Sequence, residues 1–248
     1  SVTGVQTCAL PISTSIASSY GKLTLSGTIG LPTGNSPAFI GNGNYIISGL
    51  VTGANVSTDR FVKSGTNLGT TLWLQNNSNN FVGDIRIDSG TIRVSSSAAL
   101  GLSTSTTQID LNNGALEINT DAPDFSSRTV RVRDNTTGTI FVNRALGGSG
   151  LNQTVAFGVT SAANTNTTFT INGRDGYNTT FGNGVANFGS GGANNATINN
   201  ATNGLFTISA PNVWNQTDAT ARTLTIQGAG DSVVTGNILA TGGGTNGS

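Results

Sequence analysis

An all-β solenoid is the fold class the sequence predicts, on three observations. Apolar residues alternate with polar ones at period two, as in Leu23-Thr24-Leu25, Ile85-Arg86-Ile87, Val130-Arg131-Val132 and Leu224-Thr225-Ile226, the pattern of half-buried strands. Glycine and asparagine cluster between these runs, as in Asn42-Gly43-Asn44, Asn76-Asn77-Ser78-Asn79-Asn80 and Asn112-Asn113-Gly114. Both tolerate positive φ and so turn the chain. Segments of similar grammar follow one another while aromatics make up only 6%, which favours a stack of like rungs over a sandwich or barrel.

In order, the alternation predicts strands at 20–29, 44–52, 69–75, 81–87, 90–95, 106–111, 114–118, 128–133, 138–142, 153–158, 167–172, 177–182, 185–189, 204–209, 222–227 and 232–239. Each is short and bounded by turn residues. Apolar residues never recur at three- and four-residue spacing over a useful window, so almost no helix is expected.

Composition narrows the function classes. Charged residues are 9% of the 248, against about 25% in typical soluble domains, so uncharged Asn, Thr, Ser and Gly carry solubility. Such a composition competes with disorder, but 35% of the chain is hydrophobic and arranged in alternation. Eleven basic and eleven acidic residues give a net charge of zero. There is no electrostatic footprint for nucleic acid or an anionic membrane, and neither is expected as a partner.

Residues 1–13 are set apart. Val2 to Ile12, Val-Thr-Gly-Val-Gln-Thr-Cys-Ala-Leu-Pro-Ile, resemble a codon-by-codon translation of a common sequencing-library adapter. The segment is too short and interrupted for a signal peptide or membrane span, and is expected to be unstructured. Excluding it removes Cys8, the single cysteine, and with it any disulfide or thiol chemistry.

From 14 to 248 the chain resembles a family. Phe61-Val62-Lys63-Ser64-Gly65, Thr71-Leu72-Trp73-Leu74, Asn77-Ser78-Asn79-Asn80-Phe81-Val82-Gly83, Asp84-Ile85-Arg86-Ile87-Asp88-Ser89-Gly90-Thr91-Ile92-Arg93-Val94 and Ala98-Ala99-Leu100-Gly101 follow in order. Together, 61–101 resemble one passenger-associated transport repeat of bacterial autotransporters: a lysine-led glycine turn, a strand, an Asn-rich turn, a strand pair and a closing Ala-Leu-Gly. Trp73 within the first strand, Phe81 for the usual Tyr and Asp84 for the second Gly depart from the pattern. Weaker echoes lie at 109–116 and 143–151, and at 45–53 and 232–239. The resemblance implies a right-handed parallel β-helix, incomplete at both ends, export to the cell surface, and a translocation barrel outside this chain. This segment would not itself enter a membrane and would be monomeric. A stack cut mid-array would aggregate or fray when expressed alone.

The chemistry-bearing residues point away from catalysis. Histidine is absent, which removes His-based acid–base catalysis, the usual triads and most zinc sites. Carboxylates remain: ten Asp and Glu117. Asp84 and Asp88 share a repeat, while Asp110, Glu117, Asp121 and Asp124 fall within fifteen positions. Parallel β-helix polysaccharide lyases and hydrolases cluster acids on one face, but no paired-acid motif surrounds these. They read as solvated structural acids, Asp110 at an outward strand position.

Gly228-Ala229-Gly230-Asp231 and Asp134-Asn135-Thr136-Thr137-Gly138 superficially resemble calcium turns without the required spacing. Arg128, Arg131 and Arg133 form the one local basic run and read as one solvated strand face, paired with Asp134 or Asp124. Trp73 and Trp214 are candidates for stacking on sugar rings, though a lone strand tryptophan more often packs. No catalytic, cofactor-binding or metal residue is therefore assigned. The expected function is a structural or adhesive passenger contacting a carbohydrate, a host or a matrix. A polysaccharide lyase or hydrolase, and a phage fibre or tail-spike segment, are the rivals.

Overall fold

The computed structural model describes residues 10–11, 15–31, 36–53, 60–65, 69–104, 107–162, 166–182, 195–209, 212–216 and 223–240. The expected strand at 185–189 lies outside them.

The chain coils as a parallel β-solenoid with two long walls. The first has ten strands: Ser15–Ala17, Ala38–Ile40, Arg60–Lys63, Asp84–Ile87, Gln108–Leu111, Asp124–Val132, Thr154–Ala162, Asn178–Phe181, Phe206–Ile208 and Ser232–Val234. The second has nine: Lys22–Leu25, Asn44–Ile47, Thr71–Leu74, Thr91–Val94, Ala115–Asn119, Thr137–Asn143, Thr167–Gly173, Ala196–Asn200 and Leu224–Gln227. Shorter sheets close other sides, Leu10–Pro11 with Ile29–Leu31 and Val51–Gly53, and Asn212–Gln216 with Asn237–Ala240. Leu10–Pro11 belongs to the segment resembling an adapter. The one helical turn among the described residues is Ser97–Leu100, at the closing Ala-Leu-Gly.

Every described pairing is parallel, and parallel strands cannot be joined by a tight hairpin. Here the crossover from one strand to the next on the same wall is a passage through the opposite wall. Paired residues lie between 20 positions apart (Thr71 and Thr91) and 32 apart (Phe125 and Phe157) on the two long walls. Register survives this variation because corners and loops absorb the extra residues.

Alternation sends one side chain of each pair inward, where like residues stack. Tyr45, Leu72, Ile92, Leu116, Ile140 and Ile171 form one column of the second wall, all buried. Phenylalanines form two further stacks. Phe39, Phe61 and Phe81 succeed one another at centroid separations of 5.0 and 5.5 Å. Phe181 meets Phe157, Phe169 and Phe206 at 5.9, 5.2 and 5.0 Å, within the range of favourable aromatic pairs. Gly138 occupies the second-wall position that Phe169 fills one rung later. A Cβ there would lie 2.6 Å from Leu111 Cβ and 2.7 Å from Val132 Cγ2, so glycine is required by interior space.

Asparagine joins rung to rung. The side-chain oxygens of Asn44, Asn113, Asn178 and Asn195 accept from the backbone N–H of Thr71, Thr137, Leu205 and Thr223 at 2.7, 3.1, 2.7 and 3.0 Å. Each bond satisfies a donor of the next rung, where corner geometry would otherwise leave it open.

Several strands escaped the alternation: Ser15–Ala17, Ala38–Ile40, Arg60–Lys63, Ala196–Asn200 and Asn212–Gln216. Ala196-Thr197-Ile198-Asn199-Asn200 looks like turn chemistry because of its asparagines. Asn200 nevertheless continues the inward column beyond Ile171, its Oδ1 accepting from Thr202 N and Oγ1 and its Nδ2 donating to Asp231 O. The lysine-led turn is also corrected. Lys63 ends a strand and lies in register between Phe39 and Ile87, fully buried in a column of apolar residues.

Candidate functional site

The outward faces carry the polar chemistry. On the first wall, register places Asp84 and Arg86 beside Gln108 and Asp110, and those beside Thr129 and Arg131. Arg131 forks onto both Asp110 oxygens at 2.7 and 2.8 Å, and Arg133 reaches Asp110 Oδ2 at 2.9 Å. Asp110 faces outward as its strand position requires, but the two guanidinia cover it to 0% exposure, so it is not a solvated acid. The carboxylate beside Arg131 raises the arginine's pKa against partial desolvation.

Other acids are held similarly. Asp88 accepts from Arg86 at 2.8 Å and from Asn112 at 2.8 Å, while Asp84 accepts from Gln108 N at 2.9 Å. Asp124 accepts from the Ser126 hydroxyl and N–H, which pull its pKa down. Asp84, Asp88 and Asp110 thus share a wall, but arginines and amide donors stand between them. Among the described residues no three Asp, Glu, Cys or His side chains lie close enough to hold a metal ion.

Arg128 departs from the expected basic face. It points inward, 6% exposed, and donates to the carbonyls of Ser97 (2.6 Å), Leu100 (3.4 Å) and Gly101. It therefore caps the last carbonyls of the Ser97–Leu100 turn with a cation. Burial lowers its pKa to about 10. Period two puts Arg128 on the inward face with Val130 and Val132 and Arg131 on the opposite one. Arg131 and Arg133 pair with Asp110 on the preceding rung, not with Asp134 or Asp124.

Asp121 organises a corner. Its Oδ1 accepts from Ala145 N at 3.1 Å, its Oδ2 from Ser149 N at 3.1 Å, and the Tyr177 hydroxyl approaches Oδ1 at 3.3 Å. A Cβ at Gly148 would lie 2.1 Å from Asp121 Oδ2, so the glycine-rich link is glycine where it wraps the carboxylate. Desolvation pushes the Asp121 pKa up, but donors from Ala145, Gly150, Ser149 and Tyr177 outweigh it and hold it below the ordinary value. Desolvation, then the Asp121 charge, pushes Tyr177 up to about 12. A depressed carboxylate stabilises the fold above its unfolded pKa and loses that contribution as pH falls through the folded value. Asp121→Asn is expected to lessen the fall in stability between neutral and acid pH, checked by urea melts at successive pH values.

In the calcium-like turns the backbone and a threonine hydroxyl make hydrogen bonds of their own. At Gly228–Asp231, Gly230 N donates to Asn200 O and Asp231 O accepts from Phe206 N. In 134–138, Asn135 takes a φ of 56° and the Thr136 hydroxyl donates to Arg133 O. Trp214 lies in Asn212–Gln216.

The second wall bears a groove of varied chemistry. Its outward column runs Trp73, Arg93, Glu117, Phe141, Asn172. Arg93 donates to Glu117 at 2.9 Å and lies 5.8 Å from the Trp73 ring centroid. Alongside, Asn143 donates to Asn119 at 3.2 Å and Asn119 to Glu117 at 3.1 Å. Arg93, Glu117, Phe141, Asn143, Asn172 and Arg174 line a shallow depression of ≈ 440 Å³. The sequence singled out Trp73 and Glu117 but missed Phe141, Asn143, Asn172 and Arg174, whose proximity depends on rung lengths that no local spacing reveals.

Among the described residues no helix is long and apolar enough to cross a membrane. No protein-family model, no curated protein and no solved structure matches the chain.

Proposed function

We propose that this chain is a structural or adhesive segment of an exported, autotransporter-type passenger, presenting a polar β-solenoid at the cell surface. The observation that carries the reading is the outer faces: Arg–Asp and Arg–Glu pairs that neutralise one another across neighbouring rungs, with Asn–Asn bonds beside them. Such a surface is polar without a strong field of either sign, and suits a spacer whose contacts are made through shallow faces. The resemblance of 61–101 to a passenger-associated transport repeat supplies the word passenger. A polysaccharide hydrolase on the same scaffold needs two carboxylates flanking a substrate; among the described residues the groove of the second wall is lined by Glu117 alone among acids, and Arg93 holds it.

The test is accessibility. When the protein carrying this segment is expressed from its full reading frame, external protease added to intact cells is expected to cleave it, with a cytoplasmic marker spared. Protection until lysis would sink the surface reading.

A further inference from the structure

We propose that the groove across the second wall binds an anionic glycan, in a mode that uses the Phe141 ring as platform and the Arg174 guanidinium as anchor. This names the contact face for the adhesive reading above and rests on that reading for its biological setting.

The groove crosses four consecutive strands, Thr91–Val94, Ala115–Asn119, Thr137–Asn143 and Thr167–Gly173. At roughly 4.8 Å per strand it spans about 14 Å, room for a few pyranose rings in an extended chain. Phe141 is half-buried on the outward face, between Glu117 and Asn172 in its column. An apolar ring among polar neighbours offers the flat face of a sugar a place to stack. Asn143 and Asn172 beside it supply the amide donors and acceptors that sugar hydroxyls need. The Asn143 Oδ1 atom lies buried beneath this face with no hydrogen-bond partner among the described residues.

Charge decides the class of glycan. Two guanidinia and one carboxylate line the groove, leaving one positive charge in excess. Arg93 is committed to Glu117, whereas Arg174 is exposed and no described carboxylate pairs with it. A free guanidinium fork matches a carboxylate bidentately, so a uronic-acid chain satisfies the groove and a neutral glycan leaves its excess charge unanswered.

Calorimetric titration of the whole chain with short oligogalacturonates tests the proposal, with cello-oligosaccharides and polyglutamate in parallel. Saturable oligogalacturonate binding is expected, weakened about tenfold or more by Arg174→Ala and about three- to tenfold by Phe141→Ala. Arg86→Ala on the first wall should leave it unchanged, and circular dichroism should show each variant folded. No saturable binding, undiminished binding by a folded Arg174→Ala, or equal binding of the neutral chain or polyglutamate would overturn the proposal. Failure here with the segment still cleaved on intact cells removes this inference alone. Binding by a segment protected on intact cells removes the surface reading alone.

Discussion

Lys63→Met is expected to raise the unfolding free energy by about 1–4 kcal/mol, the range seen when buried ionic groups give way to well-packed apolar ones. Lys63 is fully buried and its column neighbours are Phe39 and Ile87. Among the described residues its amine has the Thr70 hydroxyl at 3.0 Å and the Ser64 carbonyl at 3.3 Å as hydrogen-bond partners, and no described carboxylate pairs with it to offset desolvation. Methionine keeps the unbranched shape and fills the same space, at the cost of the hydrogen bonds to Thr70 and Ser64. Burial lowers the Lys63 pKa from 10.5, which fixes a sign. A depressed amine penalises the fold fully below its folded pKa, and the penalty fades as pH rises from that value towards 10.5. The gap between the native chain and Lys63→Met should therefore narrow over that alkaline window. Paired denaturant melts at neutral and alkaline pH measure it; a gap of zero, or one that widens, refutes the account.

Phe181→Ala is expected to cost about 3–5 kcal/mol. Phe181 is 1% exposed and touches three other phenylalanines, one on the preceding rung of its own wall, one on the following rung, and Phe169 from the opposite wall. Removing the ring leaves a cavity that parallel strands pinned on both sides cannot collapse to fill. It also removes edge-to-face contacts worth about 0.5–1.5 kcal/mol each. Phe141→Ala, with its ring outward on the second wall, should cost much less. Comparable losses for the two would mean that the ring stack is not what holds these rungs.

Period two made the walls legible, since Ile85, Ile87, Val130 and Val132 are inward as the alternation requires. What it could not give was the distance between neighbours across rungs. Asp110 and Arg131 are 21 residues apart in a ladder whose other steps include 23, 24 and 30, so no fixed offset in the sequence announces their pairing. Lys63 was misplaced, and Asn200 passed over, for a different reason. Their residue types argue for solvent, and only the columns they continue show that they are inside. The groove of the second wall was half legible: Trp73 stood out by type, while Phe141 and Arg174 gain meaning only when adjacent rungs bring them together.

The unequal rungs have a mechanical consequence. Neighbouring rungs hydrogen-bond along the stacking axis, so tension on a tethered solenoid peels its terminal rung, and the next becomes terminal in turn. Each release frees the residues of one rung, 20 to 32 here, or roughly 70–115 Å of contour. A protein built this way lengthens in unequal steps under load, each step dissipating work while the remaining rungs stay closed.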